Sequence, residues 1–341
     1  MTKNPSYYWL FLGGGTLLLL LSALLALSWG QYPIAPETLL AFVKFKLFGG
    51  EAQEEFALLE NILFQIRLPR ILLAILIGAA LATSGAAFQA MFVNPLVSPG
   101  ILGVLAGASF GAALGMLLSE QWWIVQALAF AFGFVAVGFS VLVGSMVTNS
   151  RSTVMLVLGG VISGSLFTAL LSVIKYVADP YSTLPAIVYW LMGSLSMAEL
   201  DEVLLASVPM GLSIAALLLM GKYFDLLSLG DEEARALGID VRRIRLAAII
   251  LATLASSLCV VMAGIIGWVG LIIPHIVRMA AGPSHTLLLP LSALVGGAFM
   301  LLADSVSRLA MSVEIPIGIL TSLIGIPVFI IVLKNARAAW N

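Results

Sequence analysis

Charge is missing from this chain over stretches long enough to cross a bilayer, and it is missing repeatedly. No Asp, Glu, Lys or Arg occurs in 4–36, 71–119, 121–150, 152–174, 203–221, 246–277, 279–303 or 315–333. A membrane span takes about 20 mostly apolar residues. A soluble core could not absorb so many such runs. The chain is 61% hydrophobic and only 10% charged, where soluble domains carry about 25% charged residues. The period-two alternation of a membrane barrel is absent, so the fold class is all-α and polytopic. A formal net charge of −1 points to no nucleic-acid partner. The single cysteine, Cys259, lies in an apolar run and permits neither an intrachain disulfide nor a thiolate metal cluster. It reads as a small packing residue.

About ten spanning helices fit, over 8–29, 68–91, 99–118, 123–147, 152–175, 202–221, 243–262, 264–281, 286–307 and 315–334. The first run follows Lys3 and resembles a secretory leader. Its length and its aromatic ends favour an anchored helix, with cleavage as the alternative. Residues 180–198 hold Pro185 and a Gly-Ser break and read as a short non-spanning helix. The run 246–277 is interrupted by Gly264, Gly267 and Gly270 and followed by Pro274, so it is divided into two spans. With both termini inside, ten Lys/Arg lie inside and six outside, which agrees with the positive-inside bias. The expectation is one domain over 1–341, in a bacterial or archaeal cytoplasmic (inner) membrane, with both ends cytoplasmic and lipid around it. A faint inverted repeat runs through it. "RLPR" precedes Gly85 and Pro95, and "RRIR" precedes Gly264 and Pro274, each pair ten residues apart.

Ionisable residues deep in the membrane would mark an ion-coupled transporter. Here Lys175 and Asp304 fall near helix ends, and Asp304 is placed to pair with Arg308 four residues on. Energy must then come from elsewhere, yet no phosphate-binding loop is present, so the chain does not hydrolyse ATP itself. No catalytic set and no cofactor site can be named. His275 and His285 have no carboxylate or cysteine cluster for a metal, and His275 reads as bonding carbonyls freed by Pro274. Against this apolar background the loop over about 222–245 concentrates charge. Within it "GDEEARALGI" reads as a short helix, acidic at its start and closed by Gly238. It is either a solvated loop or a docking element.

Four stretches carry a resemblance that covers nearly the whole chain: "RLPRILLAILIGAALATSGAAFQAMFVNPLVSPGILGVLAGA", "LGDEEARALGI", "AGIIGWVGLIIPHIVR" and "LLADSVSRLAMSVEIPIGILTSLIGIPVFI". Together they resemble the FecCD family, permease subunits of type II ABC importers for ferric siderophores, haem and vitamin B12. The resemblance implies ten helices per subunit and a homodimer with the pathway on its two-fold axis. It also implies two cytoplasmic ATPase subunits and an external substrate-binding protein. By the same resemblance Gly230, Asp231, Glu232, Glu233, Arg235, Ala236, Leu237 and Gly238 couple to the ATPase. Asn94, Pro95, Leu96, Ser152 and Thr153 form a cytoplasmic gate, and Ser163, Ser165, Thr168 and Ser172 line the pathway. Arg67, Arg70 and Arg308, which stand outside against the charge bias, are expected to grip carboxylates of the binding protein. The substrate class implied is a metal chelate: an iron siderophore first, then haem or cobalamin, with a small oxyanion such as molybdate also open. A stand-alone secondary transporter for a small solute is the alternative, and a membrane-embedded enzyme the third.

Overall fold

The computed structural model describes residues 5–49, 55–147 and 153–338. Every regular element among them is helical. In chain order they are α1 (Pro5–Ser28), α2 (Pro36–Phe48), α3 (Phe56–Asn61), a π-helical turn (Ile62–Arg67) and α4 (Leu68–Met91). A 3-10 turn (Pro99–Leu102) precedes α5 (Val104–Leu118), α6 (Trp122–Val147), α7 (Thr153–Val177) and the short α8 (Thr183–Leu191). Then come α9 (Leu200–Leu219), α10 (Gly221–Leu227), α11 (Asp231–Ala236), α12 (Val241–Ala263), α13 (Val269–Ala281), α14 (His285–Leu309) and α15 (Ile317–Ala338). Seven of the described helices are long and apolar enough to cross a membrane, and three shorter apolar ones cover Val104–Leu118, Val269–Ala281 and Ile317–Ile331. These ten fall on the ten spans expected from hydropathy, and α8 is the short non-spanning helix.

α4 is the axis of the molecule, with α9, α12, α13 and α14 packed around it. Small residues let the backbones close. A Cβ on Gly78 would lie 2.1 Å from the Gly296 carbonyl oxygen of α14, and one on Gly85 would lie 1.8 Å from that of Gly270 in α13. Lipid tails give no hydrophobic drive between helices, so such close approach is what holds membrane helices together. α5, α6 and α7 form a second packed group, with Gly107 and Gly111 of α5 against the α6 backbone. α1 leans on α14 through Gly15, which meets Leu291 and Leu294.

Three expectations change. The third span is shorter than 99–118, because the 3-10 turn ends at Gly103 with φ +84° and only then does α5 begin. The helix at 68–91 extends back through the π turn to Phe56, and α2 precedes it; neither shows in the hydropathy. Their apolar faces build a satellite core from Ile34, Phe42, Phe56, Leu59 and Leu63. The repeat's Gly and Pro also occupy different local structures. Gly85 lies inside α4 and Pro95 in a turn, whereas Gly264 (φ +68°) closes α12 and Pro274 sits inside α13.

Candidate functional site: a groove, a charged loop and a buried cluster

An open hollow runs along α7. It holds about 640 Å³ and is lined by Gly100 and Ile101 of the 3-10 turn and by Gly160, Val161, Gly164 and the hydroxyls of α7. Ser165, Thr168 and Ser172 are exposed there; Ser172 Oγ donates to the Thr168 carbonyl at 3.0 Å. Ser163 is a correction. It is fully buried on the opposite face, donating to the Ala136 carbonyl of α6 at 2.7 Å, so it packs helices rather than lining the groove.

α4 ends in a strained turn that leads into the 3-10 turn lining this groove. Val93 holds φ +49°, a costly conformation for a β-branched residue. The Asn94 amide donates to the Gln89 carbonyl at 3.1 Å, and its side-chain oxygen accepts from the Leu96 amide at 2.9 Å. Asn94, Pro95 and Leu96 are all exposed, and Thr153 begins α7; Ser152 lies outside the described residues. Gln89 itself is buried, donating to the Leu271 carbonyl at 3.2 Å and accepting from Arg278 at 3.0 Å. His275 differs from expectation. Its Nδ1 is buried with no hydrogen-bond partner among the described residues. The carbonyl that Pro274 frees is that of Gly270, four residues back, and it lies against Gly85 instead.

The charged loop folds into α10, α11 and the start of α12, and much of its charge is spent within the chain. Asp231 accepts from Arg245 at 2.7 and 3.2 Å, and Arg243 pairs with Asp240 at 2.9 Å. Asp240 also caps α12 by accepting the Arg243 amide. α11 starts after Gly230 (φ +113°). It closes in a Schellman turn: the Ile239 amide donates to Ala234 and the Gly238 amide, at φ +82°, to Arg235. Only Ala234 is buried. Glu232, Glu233, Arg235, Ala236, Leu237 and Gly238 face outward, and Leu229 and Leu237 are more than half exposed. The result is a rigid knob with apolar and charged groups at its tip. At its root Asp225 of α10 accepts the His285 amide at 2.6 Å and His285 Nδ1 at 2.9 Å, with Ser284 Oγ at 3.3 Å. Burial alone would raise the Asp225 carboxyl, but the bonds from His285 outweigh it and hold it below its ordinary range.

The three arginines do come together, at the far end from the charged loop, but not as free forks. Arg67, Arg70 and Arg308 are 4%, 6% and 8% exposed. Arg67 donates to the carbonyls of Leu27 and Tyr32. Arg70 Nε donates to Asp304 Oδ1 at 2.7 Å, and its two other nitrogens grip Glu314 at 3.0 and 2.8 Å. Arg308 Nε lies 3.1 Å from Asp304 Oδ2, and Nη1 donates to the Trp29 carbonyl at 3.2 Å. Direct gripping of a partner's carboxylates is therefore corrected. Buried guanidiniums have to be satisfied, and these find their partners in α14, at the end of α1 and in the loops after α1 and α14. Sequence spacing showed the Asp304–Arg308 pair but not Glu314, which is far from Arg70 in the chain.

Residues 18–335 match the FecCD transport family. The molybdate import system permease protein MolB of Haemophilus influenzae is 40% identical over 99% of both chains. A probable iron chelatin transport system permease protein of Helicobacter pylori is 36% identical over 90% of this chain and 98% of its own. A solved inward-facing conformation of a metal-chelate type ABC transporter superposes with a TM-score of 0.85. It is 38% identical and covers 95% of this chain and 98% of that one.

Proposed function

The chain belongs to the FecCD transport family, as a multi-pass permease of a bacterial ABC importer, and from that premise we propose that it carries a metal chelate inward as half of a homodimer. The observation that carries this reading is the hydroxyl-lined groove of Ser165, Thr168 and Ser172, open on one side of the single chain. A second copy facing it across a two-fold axis would close it into a path. Asn94, Pro95, Leu96 and Thr153 stand at the groove's cytoplasmic end in this arrangement and form its gate. The α11 knob faces the cytoplasm and seats on an ATPase subunit that hydrolyses ATP for the complex. The arginine end faces outward. The buried cluster there acts indirectly, holding the loops at 29–35 and 310–316 as the platform for a substrate-binding protein. Uncharged hydroxyls suit a cargo that must be passed on rather than held, and an iron siderophore is the first candidate.

A second reading of the cargo, a molybdate-type oxyanion, is favoured by the relative named for molybdate that matches over the full length. The pathway assignment is tested with Thr168→Cys and a membrane-impermeant thiol reagent. Native Cys259 is buried and gives no background. Labelling of Cys at this position is expected to change between nucleotide-free and ATP-bound complexes. Equal labelling in both states, at a rate like that of a lipid-facing control, would remove α7 from the pathway.

A further inference from the structure

α14 is held at both ends by charge. At its first residue, His285 is 4% exposed and bound twice to Asp225, through its amide and its ring. At its last turn Arg308, with Asp304 one turn earlier, sits in the arginine cluster. A helix of 25 residues is about 37 Å long, so one element joins the two faces of the molecule. Its middle is locked to α4 where Gly78 and Gly296 meet backbone to backbone. Pro290 removes one ladder bond between the first turn and that lock, so the first turn leans on what holds it from outside: α10, whose Gly221 and Phe224 pack against it and whose Asp225 bonds it twice. α10 supplies that grip and leads directly into α11, which is tied a second time through Asp231 to Arg245 of α12.

We propose that the Asp225–His285 clamp is the contact through which the α11 knob and the arginine end sense each other, with α14 as the element that moves. Asp225 and His285 are positioning residues: neither touches cargo or nucleotide. The inference rests on the proposed reading, in which an ATPase meets α11 and a binding protein meets the arginine end. Coupling between two sites is reciprocal in binding free energy. Breaking the clamp therefore reduces both the stimulation of ATP hydrolysis by the binding protein and the effect of nucleotide on binding-protein affinity.

The experiment uses the complete complex in nanodiscs, with the wild type, His285→Ala, His285→Asn and Asp225→Asn. ATP hydrolysis is measured with and without binding protein, and binding-protein affinity with and without nucleotide. In His285→Ala and Asp225→Asn the stimulation is expected to fall about threefold or more, within the range of coupling changes by residues between sites. Assembly and the unstimulated rate stay unchanged. His285→Asn keeps a side-chain donor for Asp225 and regains most of the stimulation. Where His285→Ala fails to assemble, Asp225→Asn, which keeps the side-chain shape, decides. Full stimulation and an unchanged nucleotide effect in an assembled Asp225→Asn complex would overturn the proposal. No stimulation in the wild type would instead sink the reading beneath it, and the proposal with it.

Discussion

Asp304 faces two guanidiniums at once and is 2% exposed. Removing one partner of a buried ionic group leaves an uncompensated charge, at a cost of about 3–5 kcal/mol. Asp304→Ala is therefore expected to lower the thermal midpoint of the purified permease sharply. Glu314 is 30% exposed, and water can replace it, so Glu314→Gln should cost about 1 kcal/mol or less. A melt in which the two variants behave alike would refute this division of labour. The hydroxyl stripe of α7 shows how legible single residues are. Ser165, Thr168 and Ser172 fall within about 60° of one another on a helical wheel, and Ser163 falls opposite. The 3.6-residue period could have excluded Ser163 from the sequence alone. No period could have found Glu314 beneath Arg70, because that contact exists only once α4, α14 and α15 are assembled.

Elements with long apolar runs were readable, and those with short or mixed faces were not. Ten apolar helices follow from hydropathy because the bilayer demands length and greasiness of each. α2 has neither, although Pro36 at its first turn followed by Glu37 is a usable start signal. Glycine contacts between elements are likewise invisible in a single sequence, and they govern packing. Gly85→Ala drives a methyl into the Gly270 carbonyl, whereas a Cβ on Gly164 meets nothing within 4 Å. Overpacking costs typically about 1–3 kcal/mol, so Gly85→Ala should destabilise the detergent-purified protein by that much and Gly164→Ala should not. Equal stability of the two would contradict the packing described. The charge-rich loop taught a different lesson. Its density suggested a partner, yet Asp225, Asp231, Asp240, Arg243 and Arg245 find theirs within the chain. What remains for a partner is the exposed tip of α11. Reversing Glu232 and Arg235 together is expected to weaken co-purification of the ATPase in a salt-sensitive way, while Asp231→Ala should act by loosening α11 from α12. ATPase retention unaffected by the tip reversal would remove α11 as the docking element.

For the whole molecule, the described residues place an exposed knob at one end, a buried arginine–carboxylate cluster at the other and an open hydroxyl groove along one flank. Such a chain has contacts to offer on three sides, and among the described residues the buried carboxylate of α14, Asp304, is tied to two arginines rather than left free for a coupling ion. The central claim is that it works only as the membrane part of an ATP-driven complex. The direct measurement is uptake into proteoliposomes holding this permease with or without its ATPase. Purified binding protein is loaded with radiolabelled iron chelate in one series and radiolabelled molybdate in another. Uptake is expected with one of the two cargoes, only with the ATPase and internal ATP present, and unaltered by collapse of proton and sodium gradients. Uptake by the permease alone, driven by either gradient, would contradict the account.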